Sequence, residues 1–158
     1  MFIGGAYEAG SKDVSSQELV NAYVEVGRQA ANPLSLVGLH GITSVTSLGN
    51  PIRGMHEAWQ RNYVVAGSSV YRVTGTMGTL LGTIDDDGLP LSMAHNIFEL
   101  AICSNGKGWV VQKATDALTA ITDSDLPAVA KADFVDGYGV FVEKESGRFW
   151  HTAVDDFE

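Results

Sequence analysis

The feature that most restricts this chain is a layout of short apolar runs that recurs three times. The first pass, Arg53 to Ile84, reads RGMHEA, NYVVAG, SVYRVT and TLLGTI. The second, Leu91 to Thr122, reads LSMAHN, ELAICS, GWVVQK and ALTAIT. The third, Lys131 to Thr152, reads KADFVD, YGVFVE and GRFWHT, and the sequence stops at Glu158. Short runs of this kind, rich in β-branched and aromatic residues and separated by turn residues, are the signature of β-strands.

Met55 aligns with Met93 at a spacing of about 38 residues, close to the period of a four-stranded propeller blade. One such sheet cannot bury both of its faces, so neighbours must stack. The expected fold is all-β: β-propeller-like four-stranded antiparallel blades, about two complete and one partial, behind an extended N-terminal arm. The blades are expected at about 51–87, 90–125 and 130–158, within a domain 51–158 that follows an arm and lead-in strand over 1–50. Fewer than three full blades do not close a ring. The chain is therefore expected either to be a piece of a longer polypeptide or to complete its blades with partner copies. Unpaired strand edges in the last blade would invite association.

Turn chemistry keeps the phase of the repeat. There are 18 glycines and only 4 prolines, and the glycines sit between the apolar runs. Gly67-Ser68 leads into Val70–Val73. Asn105-Gly106 is the strongest short hairpin signal in the chain and separates Leu100–Cys103 from Trp109–Val111. Asp136-Gly137 precedes Tyr138–Val142, and Glu145-Ser146-Gly147 links that run to Arg148–His151. One hairpin thus recurs three times at matching places. Its second strand carries an aromatic each time, Tyr71, Trp109 and Trp150, expected to pack between neighbouring blades. The core is expected to hold Val64, Val65, Tyr71, Val73, Ile102, Trp109, Val111, Phe134, Val140, Phe141 and Trp150.

Residues 1–50 read differently. Phe2 to Asp13 is glycine-rich and reads as an extended arm. Gln17 to Val26 (QELVNAYVEV) fits either a helical stripe through Leu19, Ala22, Tyr23 and Val26 or a strand; Ala22–Val26 is read as a strand, because the VGRQAANP behind it is loop-like. Asn32-Pro33 and Leu39-His40-Gly41-Ile42 read as turns.

The net charge of −9 disfavours binding a duplex through a basic face, since phosphate is repelled. Arg28, Arg53, Arg61, Arg72 and Arg148 are scattered, whereas carboxylates group at Asp85-Asp86-Asp87, at Asp123 and Asp125, and at Asp155-Asp156. Such groups mark solvated turns. A single cysteine, Cys103, offers no disulfide framework and fits a reducing compartment. The first residues lack the basic and apolar regions of a signal peptide, and no stretch has the length of a membrane span.

Each candidate for chemistry has a structural reading that outweighs it. Cys103 sits in the apolar run LAIC, and the histidines at 40, 56, 95 and 151 lie in different segments, so no Cys/His pair is evident. No H-x-H or HExxH spacing marks a metal site, and repeat geometry explains the similar places of His56 and His95. Asp85-Asp86-Asp87-Gly88 partly matches a calcium loop but lacks its alternating spacing and distal Glu, as does Thr122-Asp123-Ser124-Asp125. Gly75, Gly78 and Gly82 are not followed by the Lys-Ser/Thr of a phosphate loop and read as a hairpin loop. Glu143 and Glu145 flank a turn and read as solvated. No catalytic, cofactor-binding or metal-binding residue is assigned, no cofactor is expected, and the chain is not read as an enzyme.

Asn21-Ala22-Tyr23-Val24-Glu25, then RGM and VYRV between Ser44 and Val73, then LSMAHN, then DFVDGYGVFVEKESGRFWHT, carry a resemblance. In order and spacing they resemble the packaged-DNA stabilisation proteins of short-tailed phages, also called tail accessory factors or tail hub proteins. The chain looks like the N-terminal part of such a protein, from about Asn21 onward. The resemblance implies β-propeller subunits in a ring, usually sixfold, beneath the portal. It implies a head-to-tail connector in the virion, assembled in the host cytoplasm. That connector seals the channel, retains packaged DNA and seats distal tail proteins. Implied partners are further copies of the chain, the portal or adaptor protein above, and the tail needle or distal tail protein below, with no membrane and no sequence-specific nucleic acid. Two other classes are weighed beside it. A carbohydrate- or receptor-binding propeller would need Trp59, Trp109 and Trp150 exposed at matching sites, and Trp59 lies before its hairpin. A tail-associated hydrolase would need a carboxylate pair or a Cys/His pair in a cleft.

Overall fold

The computed structural model describes Ala22–Val26, Leu34–Gly38 and residues 43–157. The N-terminal arm and the turns at Asn32-Pro33 and Leu39–Ile42 lie outside the described residues. The chain divides into two compact units, 1–44 and 45–158. In the first, β1 (Ala22–Val26) is the strand expected there, and it pairs antiparallel with β2 (Leu34–Gly38).

The second unit is built from three antiparallel sheets and, among the described residues, contains no helix. The first sheet holds β3 (Ile52–Ala58), β4 (Arg61–Ala66), β5 (Ser69–Thr74) and β6 (Met77–Thr83), in that order. The second holds β7 (Ser92–His95), β8 (Glu99–Ser104), β9 (Lys107–Gln112) and β10 (Leu118–Ala120), again in chain order. The third holds β11 (Val129–Val135), β12 (Tyr138–Glu143) and β13 (Phe149–Val154). Meandering four-stranded sheets joined in sequence are the blades that the repeat predicts.

Equivalent residues keep equivalent pairing. Val64 stands between Met55 and Tyr71, and Ile102 stands between Met93 and Trp109. Phe141 faces Trp150 in the same way. The recurring hairpins are β4–β5, β8–β9 and β12–β13. At the tip of β8–β9, Asn105 and Gly106 both take positive φ, 49° and 75°, as a two-residue hairpin turn requires.

Two apolar layers hold the sheets together, face to face. Between the first and second lie Tyr63, Val65 and Val70 against Leu100, Ile102, Trp109 and Val111, with Ala58 and Ile84. Between the second and third lie Ala94, Ala101, Cys103 and Val110 against Val129, Ala132, Phe141 and Phe157. The second sheet is therefore covered on both sides, and β8 is buried along its whole length. Its ELAICS run is continuous and not alternating because both faces meet apolar neighbours.

The expected core is only partly the observed one. Val64, Val65, Ile102, Trp109, Val111 and Phe141 are buried, while Tyr71, Val73, Phe134 and Val140 are half-buried. Trp150 is 40% exposed. The pairing explains the aromatics. Trp109, Tyr71 and Trp150 occupy the same place, on the face that looks toward the preceding sheet. For Trp109 that neighbour is the first sheet, and the ring is covered. Tyr71 looks outward from the first sheet. Trp150 stands on the outer strand of the third sheet, beside an open cleft.

Two faces remain open. On the first sheet Met55 (73% exposed) and Leu80 flank Val64 and Tyr71. On the third, Val135, Tyr138, Val142 and Phe149 (71% exposed) are all exposed.

Candidate functional site

The polar side chains that the fold brings together lie at the seams between sheets. The largest cluster surrounds Arg53, whose side chain is only 4% exposed. Its Nε donates to Leu89 O at 2.8 Å and its Nη1 to Gly67 O and Asp85 O, both at 3.2 Å. Its Nη2 donates to Asp87 Oδ1 at 2.5 Å and to Ser104 Oγ at 2.6 Å, and Asp86 Oδ1 lies 3.2 Å from Nη1. The Asp85-Asp86-Asp87 group is thus consumed by Arg53, by Lys107 (2.6 Å from Asp85) and by the backbone N–H groups of Gly88 and Leu89. Hydrogen bonding from Leu89 N–H, with Arg53 beside it, holds the Asp87 carboxyl below its usual range. This is a linker clamp between the first two sheets.

A second cluster centres on Asp116, in the turn between β9 and β10. It accepts from Arg72, from Arg61 Nη1 at 3.4 Å and from the Tyr63 hydroxyl at 3.3 Å, joining the second sheet to the first. Burial raises the Tyr63 phenol above its ordinary value, so the hydroxyl stays a donor.

The third lies at the β3–β4 turn. Trp59 and Gln60 both take positive φ, 52° and 62°, forming a two-residue turn. Trp59 therefore lies before the recurring β4–β5 hairpin, at the tip of the β3–β4 hairpin that precedes it. A tryptophan in this conformation is strained, and contacts across the seam hold it. Its Nε1 donates to Asn96 O at 2.8 Å, its ring stands edge-on to Tyr63 and His95, and Lys113 Nζ lies 5.5 Å from the ring centroid. Beside it, His56 Nε2 and His95 Nδ1 are 2.9 Å apart. The sequence showed the similar places of the two histidines; it did not show that strand pairing brings the rings into contact.

The other candidates are dispersed. Cys103 is buried against the third sheet, and desolvation pushes its thiol up to about 12. His95 is on the neighbouring strand but opposite Leu100, on the other face. His151 is exposed on β13 beside Tyr138, and His40 is outside the described residues. Among the described residues no three His, Cys, Asp or Glu side chains converge as metal ligands. Of the three glycines read as a hairpin loop, Gly75 is in the β5–β6 turn, but Gly78 and Gly82 are inside β6. Glu143 is not simply solvated: Arg148 reaches it through Nε at 2.6 Å and Nη2 at 2.8 Å, and this contact lowers its carboxyl below the usual range.

Sequence reasoning missed Glu99 and Phe157. Buried Glu99 accepts from Gln112 Nε2 at 2.7 Å and from the Phe157 backbone N–H at 2.9 Å, so the segment after β13 folds back onto the second sheet. Only the apolar residue following Asp155-Asp156 hinted at it. Next to this segment, a cleft of about 420 Å³ is floored by Ile121, Leu126, Phe141 and Phe157 and edged by Trp150, Asp123 and Asp125. No helix among the described residues is long and apolar enough to cross a membrane.

The fold thus presents stacked meandering sheets whose seams are closed by ion clusters. The family model described as bacteriophage P22 Gp10, β-propeller, matches residues 1–158. The chain belongs to that family. It is a β-propeller-family phage structural protein of the packaged-DNA stabilisation type, associated with the virion. No curated protein matches it.

Proposed function

We propose that this protein works as a head-to-tail connector, the tail hub that seals the portal channel, retains packaged DNA and seats distal tail proteins. The family match over 1–158 carries this reading. The physics of the chain agrees with it. A surface with net charge −9 repels phosphate, so a channel lined by it lets DNA pass without gripping it. Ion clusters at the seams, around Arg53 and Asp116, tie neighbouring sheets into a stiff scaffold.

The partners belong to the same proposal: a ring of identical subunits, sixfold by family resemblance, between a portal or adaptor protein and a tail needle or distal tail protein. The open apolar faces at either end of the sheet stack support association, because patches of this kind mark interaction surfaces. A monodisperse monomer in light scattering would overturn the self-association.

Virions of the source phage test the function. Peptides from this chain should appear in purified particles, and particles made without it should package DNA and then lose it. Absence of the chain from well-covered virions, or full DNA retention without it, would refute the connector role.

A second reading, a carbohydrate- or receptor-binding module, is favoured by one observation: half-exposed Trp150 stands over a cleft edged by Asp123 and Asp125. Aromatic faces and carboxylate acceptors suit sugar rings. Quenching of Trp150 emission by glycans, lost in Trp150→Ala, would support it.

A further inference from the structure

His56 on β3 and His95 on β7 meet across the seam between the first two sheets. Nε2 of His56 lies 2.9 Å from Nδ1 of His95, with ring centroids 5.1 Å apart and planes at 65°. A neutral imidazole has one N–H and one lone pair, so the bond needs one ring to donate and the other to accept. It survives with both rings neutral or with one protonated. It fails when both are protonated, because imidazolium has two donors and no acceptor. Two positive charges then also repel at contact distance.

We propose that the His56–His95 pair is a proton-operated clasp on this seam, closed at neutral pH and released by acid. Its release reaches the β3–β4 turn directly. The Trp59 ring stands edge-on to His95 with centroids 5.7 Å apart, and Trp59 Nε1 donates to the carbonyl of Asn96, the next residue. The strained turn thus depends on β7 staying where the clasp holds it.

The surrounding charges do not neutralise a doubly protonated pair. Glu57 neighbours His56 on β3 and favours its protonation, but burial and His95 outweigh it and hold His56 below its ordinary value. Lys113 lies against Trp59 and adds positive charge. Asp116 is engaged by Arg61, Arg72 and Tyr63, the residue opposite His56. Glu99, at the start of β8, is taken by Gln112 and Phe157. On the far side of β7, β11 brings exposed Lys131 and Asp133. The sign follows from His56. A group depressed on folding binds fewer protons folded than unfolded, so its stabilisation is present above the unfolded value of about 6.5. That stabilisation is lost as pH falls through the depressed value.

The test is an NMR titration of the imidazoles and of the Trp59 indole N–H in the whole chain, the latter assigned with Trp59→Phe. The His56 ring should titrate below the ordinary imidazole range, with the indole signal moving in the same step. The Tm of the native chain should fall more steeply between pH 7.5 and 5 than that of His95→Gln, which cannot become charged. An indole signal that does not move as His56 titrates would overturn the clasp. So would a His95→Gln variant with the native pH dependence. Should that variant fail to fold, the titration of the native chain decides alone.

Discussion

Arg53 Nη2 donates to Ser104 Oγ at 2.6 Å across 51 positions of sequence, tying the first strand of one sheet to the last residue of β8 in the next. The same guanidinium serves Leu89 O, Gly67 O, Asp85 O and Asp87. A lysine ammonium is a compact point charge and cannot span these acceptors. Arg53→Met should destabilise the chain by about 3–5 kcal/mol, because it strands buried acceptors and Asp87. Arg53→Lys should fall between it and the native chain. Urea unfolding measures both, and a fully stable Arg53→Lys would show that the fork geometry is irrelevant.

Trp109 fills the layer between the first two sheets, opposite Ile102 and 6% exposed. Trp109→Ala should cost about 3–5 kcal/mol through lost burial and the cavity left behind. Each kcal/mol corresponds to roughly 2–4 °C in Tm for a chain of this size. Differential scanning calorimetry checks it, and an unchanged Tm would contradict the burial of this ring.

The repeat was legible because strand alternation and turn residues are local properties. Asn105-Gly106 predicts its own hairpin, and the spacing of Met55 and Met93 predicts the sheet. What the sequence did not display is which side of a strand a neighbouring sheet covers. Tyr71, Trp109 and Trp150 look alike as residues, yet only Trp109 has a full sheet against it. The β3–β4 turn hid for another reason. Trp59-Gln60 is poor turn chemistry, and only tertiary contacts to Asn96, Tyr63 and His95 make it tolerable. The seam clusters at Arg53, Asp116 and His56 join residues tens of positions apart. No spacing rule reports them.

Cys103 lies in the second layer with its thiol pushed up to about 12 by desolvation. Thiolate is the reactive species, so the native chain should resist a thiol reagent at pH 8. The same reagent should label it rapidly in denaturant. Fast labelling of the native chain would mean that the layer between the second and third sheets opens readily.

Gly139 on β12 makes room for the segment that follows β13. A Cβ built there would lie 2.6 and 2.8 Å from ring atoms of Phe157 and 2.9 Å from Thr152 Oγ1. An aromatic ring packed against Phe134 and Phe141 has little freedom to retreat. Gly139→Ala should therefore expel Phe157 from the layer and release its N–H from Glu99. Phe157→Ala leaves a cavity instead and should cost about 3–5 kcal/mol. The two changes act on one contact. The double variant should consequently be less destabilised than the sum of the singles, since alanine at 157 removes the clash that alanine at 139 creates. Strict additivity in urea unfolding would separate Gly139 from Phe157 and place the cost of Gly139→Ala in the strand itself.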